Sequence, residues 1–339
     1  MKPLQQSSDV LAKVYDAALL DLDGVVYIGE DGVPGVVPTL NEMNQQHGIA
    51  LTCITNNAAR SAATVASHLQ RLGLDVTSDD VVTSAQAAAQ ELARLVPQGS
   101  DVYVLGSPDL AEEISFVGLT PSQDVDKTYA AIVQGYWPDM PWRMLGVGAK
   151  IINEGAVWVA TNTDWTIPTQ FGTSPGNGTM VQALEIATGK KPALVAGKPE
   201  SPLMYVAIER TGSQKPLMIG DRLDTDIWAA NRINIDSLLV FSGVTDVVEL
   251  FNAPVELRPT FIAWDAAGIK DTMSAVDVDH GLVSLNDWRV ASDGLSGKGD
   301  ALDAIRVLAV AVWELVLSPE KALQALADTG FSLTKGMHQ

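Results

Sequence analysis

Three short apolar runs in this chain each lead into one chemically active residue, and this limits the folds open to it. The run over residues 17–22 carries Asp21, the run over 50–55 ends in Thr55, and the run over 216–220 is followed by Asp221. Short apolar runs of this length predict buried strands. Further short strands are predicted at 102–106, 130–135, 157–160 and 237–241. Helical patterns lie between them, at 61–72, 85–95, 142–153, 179–188, 202–210 and 225–233. In the first of these, Val65, Leu69 and Leu72 recur at helical spacing and Gly73 stops the helix. Strand and helix alternating in this way predict an α/β fold with a parallel sheet and crossover helices. Ligands bind such sheets at the carboxyl edge, which is where Asp21, Thr55 and Asp221 fall.

The residue types at that edge suit phosphate chemistry. A phosphate monoester is a dianion, so a carboxylate attacks it only once its charge is neutralised. Mg²⁺ bridging Asp21 and a phosphate oxygen does this, with Asp221 as the natural second ligand. Asp21 is then the nucleophile. Asp23, two residues on, would protonate the leaving alkoxide and afterwards activate water. Thr55 offers a hydroxyl, and Asn56 and Asn57 after it extend the anion cradle. Lys198, before Pro199, supplies a fixed positive charge on the phosphate. Asp224 reads as the cap of the next helix. Asp226 reads either as a helix-dipole acid or as a residue behind the site, holding metal-bound water or orienting Lys198.

Composition narrows the partners. The 339 residues are 47% hydrophobic, enough for a sizeable core in two or three domains. The net charge of -19 disfavours nucleic acid and anionic lipid, so the site must carry its own cations. The one cysteine, Cys53, sits in an apolar run and reads as core. The four histidines, His47, His68, His280 and His338, are scattered and match no metal or nucleophile pattern. The apolar stretch 301–317 is broken by Asp303, Arg306 and Glu314, and the first nine residues are polar. A soluble, cytoplasmic protein acting on a small phosphorylated metabolite is expected.

Four segments resemble the ordered motifs of the haloacid-dehalogenase superfamily. Asp21-Leu22-Asp23-Gly24-Val25-Val26-Tyr27 resembles the first, Ile54-Thr55-Asn56-Asn57 the second and Gly197-Lys198-Pro199 the third. The run from Gly220-Asp221-Arg222 to Asp226-Ile227 resembles the fourth. Together they look like the branch that holds p-nitrophenyl phosphate, phosphoglycolate, glycerol-phosphate and pyridoxal-phosphate phosphatases, over about residues 13–265. The resemblance implies a Rossmann-like core, Mg²⁺ and an aspartyl-phosphate on Asp21. It also implies that the metal takes the main-chain carbonyl of Asp23 rather than its carboxylate. A large α/β cap of the C2 type is implied between the second and third motifs. The expected domains are a catalytic core of 1–83 with 197–265, a cap of 84–196 that sets specificity, and a small α/β accessory domain of 266–339. Thr161-Asn162-Thr163-Asp164 and the segment from Pro175 to Thr179 resemble cap and hinge segments, with Thr163 where the family usually has Pro. Trp137 and Trp165 are candidates to face the substrate.

The tail is a separate matter. It holds strand-like runs at 281–285 and 288–291 and an apolar helix from 301. Gly297-Lys298-Gly299 before that helix is similar to the coenzyme A loop of the general-control-related N-acetyltransferases, but Gly294 stands where those have Arg or Gln. The tail is about half the size of such a domain. The simpler readings are an accessory domain or an oligomer contact through Val307, Leu308, Val312 and Trp313. By resemblance, the expected activity is a phosphomonoesterase, with glycerol phosphate or phosphoglycolate favoured. A sugar phosphomutase would share every core residue, but usually carries a helical cap after the first motif. A dehalogenase has no use for the acid of Asp23. A ligand-sensing regulatory protein on a phosphatase scaffold has no need of intact Asp21, Asp23, Thr55, Lys198 and Asp221.

Overall fold

The apolar runs become strands that are buried on both faces, as a parallel sheet requires. All four residues of Ala17–Leu20 and all five of Pro216–Gly220 are buried. The computed structural model describes residues 4–169 and 171–331. These divide into two compact units, Met1–Cys53 with Gln70–Asp75 and Thr211–Gln339, and Ile54–Leu69 with Val76–Arg210.

In the first unit, Ala17–Leu20 pairs in parallel with Pro216–Gly220 on one side and with Ala50–Thr55 on the other. Asp236–Val240 and Phe261–Ala263 extend the sheet beyond Pro216–Gly220, also in parallel. The chain therefore leaves Ala17–Leu20 in one direction and later returns on its other side. That reversal is a topological switch point, the crevice where such sheets bind ligands. Leu20 lies opposite Ile219, and the Asp21 N–H donates to the Ile219 carbonyl at 2.9 Å. Asp21 and Asp221 thus leave neighbouring strands at the same edge.

The tail belongs to this unit. Asp277–Asp279, Leu282–Leu285, Trp288–Ala291 and Gly294–Ser296 form an antiparallel meander. Along it Val283, Leu285, Trp288 and Val290 alternate inward onto the helix Ala301–Trp313. That helix is apolar all round, which is the pattern of a buried helix. Its one buried charge, Arg306, donates to Asp303 at 3.1 Å and to the Ser274 carbonyl at 2.7 Å. The same apolar cluster takes in Leu239 and Ile262 from the parallel sheet, and Trp313 Nε1 donates to the Leu250 carbonyl at 3.2 Å. Val307, Leu308, Val312 and Trp313 are all buried in it. They pack inward and offer no surface to a second copy, which corrects the oligomer-contact reading of those four residues.

The second unit has a five-stranded parallel sheet in the order Leu194–Val195, Val157–Ala160, Ala131–Gln134, Asp101–Leu105, Thr120–Ser122. Its core gathers Tyr103, Ile132 and Trp158 from the strands with Leu145, Ile152 and Leu184 from the helices Trp142–Asn153 and Asn177–Thr188. The helix Ser84–Leu95 starts on a capping box, Thr83 accepting from the Gln86 N–H at 3.2 Å while Gln86 accepts from that of Thr83. The hairpin Thr166–Thr169 and Gly172–Pro175 completes the unit.

Among the described residues, Val36–His47 and Pro108–Phe116 are long helices that the periodicity does not make apparent. Each carries a proline in its first turn, where the missing N–H costs nothing. Cys53 and His68 are buried, His47 and His280 are exposed, and His338 lies outside the described residues. No helix among the described residues is long and apolar enough to cross a membrane.

One half-buried pair near the start of the sheet gives a stability prediction. The Tyr15 hydroxyl donates to Asp236 Oδ2 at 2.8 Å. Burial, and then the Asp236 carboxylate, push the Tyr15 pKa far above its ordinary value. Above about pH 10 the unfolded chain loses the Tyr15 proton while the folded chain keeps it. The folded state then binds more protons, so stability falls as pH rises. Melting temperatures from pH 9 to 11 should drop more steeply for the wild type than for Tyr15→Phe; equal slopes would refute the coupling.

Candidate active site

The first unit assembles an acidic cluster. Asp21, Asp221 and Asp226 each present a carboxylate oxygen within 4.8 Å of the others. Asp221 and Asp226 are each only 1% exposed. Three like charges this close repel by roughly 3 kcal/mol per pair at an effective dielectric of about 20. An all-oxygen set of this kind fits a hard divalent cation such as Mg²⁺.

The surrounding backbone is shaped to admit these carboxylates. A Cβ on Gly243 would stand 2.0 Å from Asp221 Oδ2, and one on Gly220 would stand 2.2 Å from the Asp226 Cβ. A Cβ on Gly24, at φ +85°, would stand 2.5 Å from the same Asp221 oxygen. Only glycine fits at these three positions. The Val244 N–H donates to Asp221 Oδ2 at 2.7 Å, and the Ser242 hydroxyl donates to the Gly24 carbonyl at 2.6 Å.

Asp226 reaches the cluster because the segment after Asp221 is not a plain α-helix. Leu223–Ile227 is a π-turn, followed by the short helix Trp228–Arg232. Such turns recur at functional sites. The Arg222 N–H donates to Asp226 Oδ2 at 3.1 Å and fixes the carboxylate. Asp224 does not cap this segment. It takes a two-point bond from the Arg222 guanidinium at 3.0 and 2.8 Å, which corrects the capping expectation.

Asp23 sits beside this cluster in sequence but is more open to solvent. Desolvation by the surrounding loop still raises its pKa, against the bonds from the Gly29 and Gly24 N–H groups. The direction suits a group that must hold a proton to donate.

The second unit gathers the remaining predicted residues around Asn56. The Lys198 N–H donates to Asn56 Oδ1 at 2.8 Å, and Asn56 Nδ2 donates to the Lys198 carbonyl at 2.9 Å. Lys198 is 2% exposed. Gly197 makes this approach possible, since a Cβ there would stand 2.6 Å from Asn56 Oδ1. Thr55 Oγ1 accepts from the Asn57 N–H at 3.1 Å, which leaves the hydroxyl proton for another acceptor. The Asn57 side chain accepts from the Ala59 N–H at 2.8 Å and so shapes the loop. Trp165 is 58% exposed, whereas Trp137 packs against the core of this unit.

In the tail, Gly297 to Gly299 do precede a helix, but the Asp300 carboxylate already accepts from the N–H groups of Leu302 and Asp303. The start of that helix is satisfied from within the chain.

Comparison with known proteins gives the family of the chain. The haloacid dehalogenase-like hydrolase model matches residues 18–120, and a second, HAD-hydrolase-like model matches 195–268. D-glycerol 3-phosphate phosphatase of Mycobacterium tuberculosis is 39% identical over 320 residues, 90% of this chain and 87% of that protein. The solved structure of glycerol phosphate phosphatase from the same organism, in complex with magnesium, has a TM-score of 0.82 and 37% identity, covering 97% of this chain and 100% of that one. A 4-nitrophenylphosphatase from Thermotoga maritima has a TM-score of 0.70 and 28% identity, covering 77% of this chain and 98% of its own. The parallel sheets define an α/β protein, and the family models that match it are those of hydrolases. The chain belongs to the haloacid dehalogenase-like hydrolases.

Proposed function

We propose that this protein is a Mg²⁺-dependent phosphomonoesterase of small phosphate esters, with glycerol phosphate the first candidate and phosphoglycolate the second. The acidic cluster of Asp21, Asp221 and Asp226 carries the reading. The preference for glycerol phosphate draws on the 39% identical D-glycerol 3-phosphate phosphatase.

Asp21, Asp221 and the main-chain carbonyl of Asp23 would hold the metal, with Asp226 behind them. The bound cation offsets the charge of nucleophile and phosphate dianion, so that the two can approach. Asp21 attacks phosphorus, the ester P–O bond breaks, and Asp23 gives its proton to the departing alkoxide. Asp23, now a carboxylate, takes a proton from water as the water oxygen attacks phosphorus. The bond from phosphorus to Asp21 breaks, inorganic phosphate leaves, and the Asp21 carboxylate is restored. The Thr55 hydroxyl, the backbone after it at Asn56 and Asn57, and the Lys198 ammonium steady the charge on the phosphoryl oxygens.

In this reading 1–83 with 197–265 is the catalytic core, 84–196 a cap that selects the leaving group, and 266–339 an accessory domain. We infer a cytoplasmic enzyme. The chemistry needs neither a homo-oligomer nor acyl-CoA at the tail. The test is inorganic phosphate release from a panel of small esters with Mg²⁺. Glycerol phosphate should stand well above p-nitrophenyl phosphate, and no release from any ester by folded protein would overturn the reading.

A further inference from the structure

We infer that Asp164 is a positioning residue for Lys198, acting through Asn56; this rests on the phosphatase reading above. Asn56 grips the Lys198 backbone at both its N–H and its carbonyl, so the base of the lysine side chain is placed by one amide. That amide has two ends of similar shape and opposite polarity, and the grip works only when Oδ1 faces the Lys198 N–H. Asp164 reinforces that orientation from the other side. Asn56 Nδ2 lies 3.2 and 3.1 Å from the two Asp164 carboxylate oxygens, and an ionised carboxylate only accepts hydrogen bonds. The flipped amide would point its oxygen at that carboxylate.

Asp164 is itself held from two sides. Its N–H donates to Asn162 Oδ1 at 3.1 Å, and Asn162 Nδ2 donates to the Asn56 carbonyl at 2.7 Å, closing a ring of Asn56, Asp164 and Asn162. The Gly178 N–H donates to the Asp164 carbonyl at 2.9 Å, and a Cβ on Gly176 would stand 2.3 Å from the same oxygen. The Ser84 hydroxyl also reaches the Asn56 carbonyl, at 2.5 Å. A carboxylate 108 residues away in sequence thus orders the lysine's support, with no long side chain between them.

A lysine displaced by a fraction of an ångström loses its hold on the transferred phosphoryl group whatever alcohol departs. Misplacements of about 1 Å can cost a catalyst about 100-fold. Asp164→Ala should therefore lower kcat about 10- to 100-fold, and by the same factor for glycerol phosphate and p-nitrophenyl phosphate. Competitive inhibition by inorganic phosphate should weaken alongside. Asp164→Asn keeps one acceptor for Asn56 and should recover part of the loss; if the Ala variant does not fold, a smaller equal loss in the Asn variant carries the same test. A loss confined to glycerol phosphate would make Asp164 a substrate contact and overturn the inference, as would wild-type rates in both variants. Wild-type release from either ester shows that the phosphatase reading stands when the inference fails. Its absence would remove both.

Discussion

Asp21→Asn stops turnover and leaves the fold in place. The amide matches the carboxylate in size but is neutral and a poor nucleophile, so the first displacement has no attacking atom. Removing the nucleophile of an enzyme that works through a covalent intermediate costs on the order of 10⁴-fold or more. The fold should not suffer, because the Asp21 N–H keeps its bond to the Ile219 carbonyl and the strand before it is buried independently of the side chain. One carboxylate fewer in the cluster also relieves repulsion, so in metal-free buffer the variant should melt no lower than the wild type. Phosphate release, circular dichroism and thermal melting decide it together. Normal turnover in a folded variant would remove Asp21 from its role.

Chelation by EDTA abolishes activity, and Mg²⁺ restores it. Three carboxylates within 4.8 Å need a cation to approach a phosphate dianion at all. The same cation should stabilise the fold, since it binds the assembled cluster and not the unfolded chain. At 100 times its Kd the gain is about 2.7 kcal/mol. Mg²⁺ should thus raise the melting temperature of the wild type, and far less that of Asp221→Asn. Activity that persists in metal-free buffer would contradict the ligand role of Asp221.

Much of the site was legible in the sequence because it lies where buried strands end. Ala17–Leu20 and Pro216–Gly220 announce themselves as apolar runs, and the acids that follow must emerge at the sheet edge. Trp142–Asn153 falls where its periodicity places it. The partnership of Asn56 with Asp164 could not be read this way, because no local pattern records a contact across 108 residues. Its one trace was the Thr-Asn-Thr-Asp segment itself, which looked like a hinge. Asp226 was ambiguous for a related reason: a regular helix from Thr225 would carry it along the helix, and the π-turn over Leu223–Ile227 gathers it into the cluster instead. Asp224 had two local partners open to it, a helix N–H and the Arg222 guanidinium, and the charged one won. For the four apolar residues of the tail the sequence leaves open an accessory core or an oligomer contact, because the cluster they join includes Leu239 and Ile262 from far back in the chain.

That shared interior has a consequence for the enzyme as a thermodynamic object. One apolar cluster runs from Leu239 and Ile262 through Phe251 to Leu308 and Trp313, so the meander and its helices have no seam at which to separate from the parallel sheet. A single transition in thermal melting is the expected result for the two together. A chain cut after Trp264 would lose the apolar partners of Leu239 and Ile262. Any molecule that settles on the tail lends its binding free energy to the strands that hold Asp21 and Asp221, linking a distant surface to the working edge through stability alone.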